Sequence, residues 1–206
     1  MNRKIGLYGS AINFISVLTF AISMLVGTNY IDYLSSTFIS IGFLLMICAF
    51  AGYHDEKTNG AAYLAIGFAV SYITLIVIVY FTQMTTVYQE ELTKQAAQIL
   101  DYKRFGLMFT FDLLAYMMMA ASTFFISFVV KVENKCDQWL KWLLRIHGIF
   151  AISCFVTPLL NIFNASESSQ NSGVGLLEFW CSYFMPVAIL SFLHFKNKRK
   201  PDGITA

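Results

Sequence analysis

Six stretches of the chain, 5–26, 34–53, 61–81, 106–130, 143–163 and 176–195, are almost free of charge. Each is close to the ~20 residues that a helix, rising 1.5 Å per residue, needs to cross the hydrocarbon of a bilayer. In lipid the backbone has to satisfy its own hydrogen bonds, so segments of this kind form helices rather than open strands. The pattern therefore predicts an all-α, polytopic membrane protein: a single transmembrane domain over 1–206, built as a six-helix bundle. The first apolar run follows "MNRK" and exceeds the 7–15 residues of a signal-peptide core, so it is expected to stay as a helix.

Between the third and fourth segments lies the longest connection, 82–105. Tyr88, Leu92, Ala96 and Ile99 recur there at helical spacing, and Glu90 and Lys94 form an i,i+4 pair. A short amphipathic helix on the outer surface is the expected element. On the other side, "KCDQWLKWLLRIHG" (135–148) leads into the fifth segment. Trp139 and Trp142 suit a headgroup layer, and Lys141 and Arg145 can extend to water.

Composition sharpens this picture. Of 206 residues, 57% are hydrophobic and only 13% charged, with a mean hydropathy of +0.62. Soluble domains carry about 25% charged residues. The net charge of +2 offers nothing for a nucleic acid, and the lipid bilayer is the expected partner. The distribution of charge orients the chain: Arg3, Lys4, Lys57, Lys131, Lys135, Lys141, Arg145, Lys196, Lys198, Arg199 and Lys200 gather on the side of the termini. Lys94, Lys103 and Arg104 fall on the other, eleven against three. The excess of Lys and Arg marks the cytoplasmic side, which puts both termini in the cytoplasm of a cell whose plasma or inner membrane holds the protein.

Chemistry enters with "FTFDLLAYMMMA" (109–120), where Asp112 interrupts an oily run. At 100° per residue Asp112, Tyr116, Met119, Thr123 and Ser127 share an arc of about 80°, opposite Phe111, Leu114, Met118, Phe125 and Val129. The acid is thus expected to face the other helices. A charged Asp at mid-bilayer costs roughly 2.5–3.5 kcal/mol, so it needs a partner, water or a ligand. Gln83, Asn161, Glu178 and Tyr183 fall in the same outer half and, with Asp112 and Tyr116, sketch a polar pocket open to the outside. Pro158 and Pro186 can kink their helices and free carbonyls beside it. Glu178 also reads as a first-turn acid facing the helix dipole.

Two further patterns read as packing. Gly9, Asn13, Ser16, Phe20, Ser23 and Gly27 make a small-residue seam on the first helix, and Gly67, Ser71 and Thr74 repeat the theme on the third. His54, His147 and His194 map to the cytoplasmic ends of helices, without metal-ligand spacing, and no histidine is expected near mid-membrane to hold a haem. The four cysteines form no CxxC or Cys/His pattern.

Nucleophile elbows, zinc-protease helices and Gly-rich phosphate loops are missing, so catalytic residues, cofactors and metals are not expected. Two functions fit. One is a carrier or binding subunit for a small polar solute or cation, with its site at Asp112. The other is a non-catalytic accessory, sensory or protective protein that meets a membrane-protein partner through the first-helix seam.

Overall fold

The computed structural model describes residues 1–89, 91–160 and 167–198, the side chains of 167–173 excepted. The described chain is helical: α1 (Asn2–Val26), α2 (Asn29–Ala51), α3 (Asn59–Thr82), α4 (Lys94–Leu100), α5 (Leu107–Val129), α6 (Lys135–His147), α7 (Ile149–Leu159) and α8 (Glu167–Asn197). Six helical stretches are long and apolar enough to cross a membrane; α6 and α7 together make the fifth, and 174–197 of α8 the sixth. Sequential spans are neighbours, α1 with α2, α2 with α3, α3 with α5, and α5 with α6 and α7. The ring closes where α8 packs on α1 and on α6. Arg3 donates to the carbonyls of Phe195 and Lys196, so the two ends of the chain share one end of the bundle, here the terminal end. The opposite end is the loop end.

The seam on α1 is consumed inside the bundle. Gly9, Asn13, Ser16, Phe20 and Ser23 are buried. A Cβ on Gly9 would stand 2.7 Å from the Met46 backbone nitrogen, and one on Gly42 would stand 2.9 Å from that of Asn13. Two glycines thus bring α1 and α2 into backbone contact, as small residues allow between membrane helices. Asn13 contributes its backbone to this contact; its side-chain amide meets no hydrogen-bond partner among the described residues. Gly27 ends α1 at φ 78°, a left-handed position that glycine adopts without strain, and its N–H caps the Ser23 carbonyl. The stripe on α3 behaves otherwise: Gly67, Ser71 and Thr74 are exposed, and nothing lies within 4 Å of a Cβ built on Gly67. The expected packing role of that stripe does not hold inside this chain, because α2 and α5 cover the opposite side of α3, burying Ala65, Ala69, Tyr72 and Ile76.

The fifth span starts eight residues earlier than the apolar pattern indicates. Its charges find local partners. Asp137 bonds His194, Lys141 donates to the Val130 carbonyl at 3.3 Å, and the Arg145 guanidinium lies 4.8 Å from the Phe128 ring centre. Asn134 caps the helix by accepting from the Asp137 N–H at 3.0 Å, while Asp137 reaches back to the Glu133 N–H. Moving the start to Lys135 makes His147 the middle residue of the 25-residue span Lys135–Leu159, not an end residue.

The connection between α3 and α5 at the loop end also departs from expectation. The third span continues through a π-helical turn, Gln83–Val87, and α4 is only seven residues long, capped by Thr93. Tyr88 therefore belongs to the extension of α3 and does not share a helix with Ile99; Glu90 lies outside the described residues.

Candidate functional site

Because α8 packs on α1 and α6 while α7 leans on α5, a wedge opens between these pairs toward the loop end. It encloses a cavity of about 430 Å³, bounded near the loops by Asn29, Lys103 and Val174 and reaching His147 midway along the bundle. Its walls are mostly aromatic and aliphatic. Polar groups on them are few, chiefly Asp32, Asp112, His147 and four tyrosines, Tyr33, Tyr80, Tyr102 and Tyr116.

Asp112 faces the bundle as its helical phase requires and is 2% exposed. Its Oδ2 accepts from the Tyr102 hydroxyl at 3.3 Å, and the Tyr80 hydroxyl is turned toward the same carboxyl. Burial, with the Asp112 charge beside it, pushes the Tyr102 phenol well above its ordinary range, so this hydroxyl remains a donor at physiological pH. Oδ1 of Asp112 has no hydrogen-bond partner among the described residues, and neither does the buried hydroxyl of Tyr116 one turn further on. Near the mouth, Asp32 accepts from the Ser23 hydroxyl, with Lys103 close enough to act on its charge.

The other residues expected around Asp112 take different places. Gln83 is buried but does not line the cavity. Its amide straps the connection between α3 and α5, donating to the Leu100 carbonyl at 2.8 Å and accepting from the Tyr102 N–H at 3.0 Å. It therefore positions Tyr102, which in turn holds Asp112. Tyr183 donates to the Leu143 carbonyl and stacks on His147, a lining residue, without lining the cavity itself. Glu178 is half-buried, its Oε1 enclosed and without a hydrogen-bond partner among the described residues. With α8 beginning at Glu167, Glu178 is eleven residues in and no longer a first-turn acid. Asn161 lies outside the described residues, and neither Pro158 nor Pro186 lines the cavity.

Sequence reasoning missed His147. The Trp180 indole N–H donates to its Nε2 at 3.0 Å, its Nδ1 lies 2.8 Å from the Thr123 hydroxyl, and that hydroxyl donates to the Ala120 carbonyl. Only one ordering of protons satisfies this chain: Nδ1 carries the hydrogen and the ring is neutral. The floor of the cavity is thus a fully paired polar network, whereas its side wall holds two unpaired polar atoms. Tyr116 packs edge-on to Trp180, with ring centres 5.3 Å apart, and joins the two. Of the other histidines, His194 is buried against Asp137 and His54 is exposed.

Removing the strap tests this arrangement. Gln83→Ala is expected to cost about 1–3 kcal/mol, because two backbone groups lose their partner. Trypsin cleavage after Lys103 and Arg104, both exposed, then accelerates severalfold. Unchanged cleavage would show that the loop is held elsewhere.

The site defines the molecule, as far as its geometry goes, as a six-span helical bundle with a part-enclosed aromatic cavity and a buried acid in its wall. No protein-family model matches the chain, and no curated protein or solved structure does so significantly.

Proposed function

We propose that the chain is an integral membrane protein that binds and carries a small solute in the cavity at Asp112, with both termini in the cytoplasm and the cavity open to the outside. One observation carries this reading: Asp112 and Tyr116 line a cavity large enough for a ligand, and Oδ1 of the one and the hydroxyl of the other are buried without hydrogen-bond partners among the described residues. Buried polar atoms without partners cost about 1–3 kcal/mol each, a cost that a bound solute removes. Pockets of roughly 300–1,000 Å³ with a few convergent polar groups are characteristic small-molecule sites. The accessory role has less to support it, since Gly9, Asn13, Ser16, Phe20 and Ser23 of the α1 seam are buried within the bundle.

A thermal-shift screen of small solutes on protein in lipid nanodiscs tests the reading. A solute at 100 times its Kd stabilises the fold by about 2.7 kcal/mol. The Asp112→Asn variant is expected to melt within a few degrees of the wild type yet to lose that stabilisation. Hits that stabilise the variant equally, or a screen without hits, would overturn the assignment.

Topology has its own test. Gln95 is exposed at the loop end and Cys136 at the terminal end. In intact cells an impermeant maleimide should modify a Gln95→Cys variant at the new thiol, and Cys136 only after permeabilisation. The reverse order would invert the bundle.

A further inference from the structure

The cavity wall also specifies what kind of solute fits. Resting on the binding role proposed above, we infer that the ligand is an organic cation: a protonated amine attached to an aryl or bulky alkyl body.

Size comes first. About 430 Å³ exceeds any bare ion and accepts a body of drug-fragment dimensions. Among the described residues no group of three or more His, Cys, Asp or Glu converges, so the wall lacks the oxygen and nitrogen cage that a dehydrated metal ion needs. The charge pattern comes next. Among the described residues Lys103 is the single Lys or Arg on the wall, and it stands at the mouth close enough to act on Asp32. Deeper in, no Lys or Arg among the described lining residues stands beside Asp112, and His147 supplies no charge, because Trp180 donates to its Nε2. An anion entering this space meets Asp112 without compensation. A neutral apolar solute leaves Oδ1 as unpartnered as before.

A protonated amine resolves each point. Its charge compensates the Asp112 carboxylate on the wall, whose Oδ2 accepts from Tyr102 and whose Oδ1 has no partner among the described residues. Its charge comes to rest beside rings, since Tyr80, Tyr102, Tyr116 and Trp180 all border the cavity. Aromatic faces attract cations, the more so once water is excluded. The body of the ligand then lies against Phe20, Phe150 and Leu177 on the remaining wall.

The test compares probes of one shape and different charge: 2-phenylethylammonium, neutral 2-phenylethanol and phenylacetate. Each is titrated calorimetrically into the full chain in nanodiscs. The ammonium is expected to bind at least about tenfold more tightly than the alcohol, the equivalent of 1.4 kcal/mol. Phenylacetate is expected to bind weakest. In Asp112→Asn the ammonium and the alcohol should converge to within about twofold. The wild-type comparison stands even if the variant fails to fold. Equal binding of ammonium and alcohol overturns the charge assignment and leaves the cavity as a binding site. Displacement of the ammonium by millimolar sodium or potassium with no ring dependence overturns it in favour of an inorganic cation. If none of the three probes binds while a broader screen finds other solutes, this inference fails alone. If nothing binds at all, the proposed function fails with it.

Discussion

Asp137→Ala is expected to destabilise the bundle by about 3–5 kcal/mol, the scale on which removing one member of a buried, hydrogen-bonded pair acts. The Asp137 carboxylate and the His194 ring are 2% and 4% exposed at residue level, and their atoms meet at 2.7 Å. The same carboxylate accepts from the Glu133 N–H at 3.0 Å, so its loss also loosens the first turn of α6. Three things fail together: the start of the fifth span, its seat against α8, and the polar edge of a ring buried between Phe50 and Phe195. Removing both partners is expected to be milder. Asp137→Leu combined with His194→Phe strands no side-chain group, leaving only the part-buried Glu133 N–H without its acceptor, and it should recover a large part of the loss. Reversible unfolding in mixed micelles measures both. A single-variant loss below about 1 kcal/mol would mean that water reaches the pair and that it holds nothing together.

The second large effect belongs to Gly9. Gly9→Leu places its Cβ 2.7 Å from the Met46 nitrogen, 2.9 Å from the Gly42 carbonyl oxygen and 2.9 Å from the Leu45 Cβ, contacts that only a shift of whole helices relieves. Overpacking in a well-packed core costs typically 1–3 kcal/mol, and a backbone neighbour raises it further because no rotamer change helps. Since α1 also carries α8, the loss extends to the ring closure. Gly67→Leu is the control. It enters open space, so its stability should stay within about 0.5 kcal/mol of the wild type. Equal losses at the two positions would mean that the exposed stripe on α3 is packed after all.

These two glycines mark the boundary of what the chain discloses by itself. Six oily runs, and the inward phase of Asp112, Tyr116, Thr123 and Ser127, follow from periodicity alone, and all four side chains are buried. Small-residue stripes on two helices look alike in the sequence, yet one meets α2 and the other meets nothing in this chain, because pairing of helices is a property of the whole ring. The fifth span was displaced for a different reason. Hydropathy counts Asp137, Lys141 and Arg145 as costs, and it has no means of crediting His194, the Val130 carbonyl or Phe128. That displacement hid His147, whose partners lie 24 and 33 residues away. Gln83 was placed at the right level of the bundle, but a glutamine that ties down a loop and one that faces a ligand share the same local sequence. Tyr102 sits in the connection between α3 and α5, where only its hydroxyl's reach to Asp112 distinguishes it from any surface tyrosine.

One wall of the cavity is unlike the rest. α7 contributes Phe150, Ser153, Cys154 and Thr157 to it and has no buried residue of its own. It is joined to α6 through Gly148, whose flanks offer little room for a side chain, and it packs chiefly on α5. A panel hung on one edge in this way yields more readily than the ring that frames it. In the binding role proposed above, guests of somewhat different girth would be accommodated by α7 yielding, with the paired floor at His147 left undisturbed.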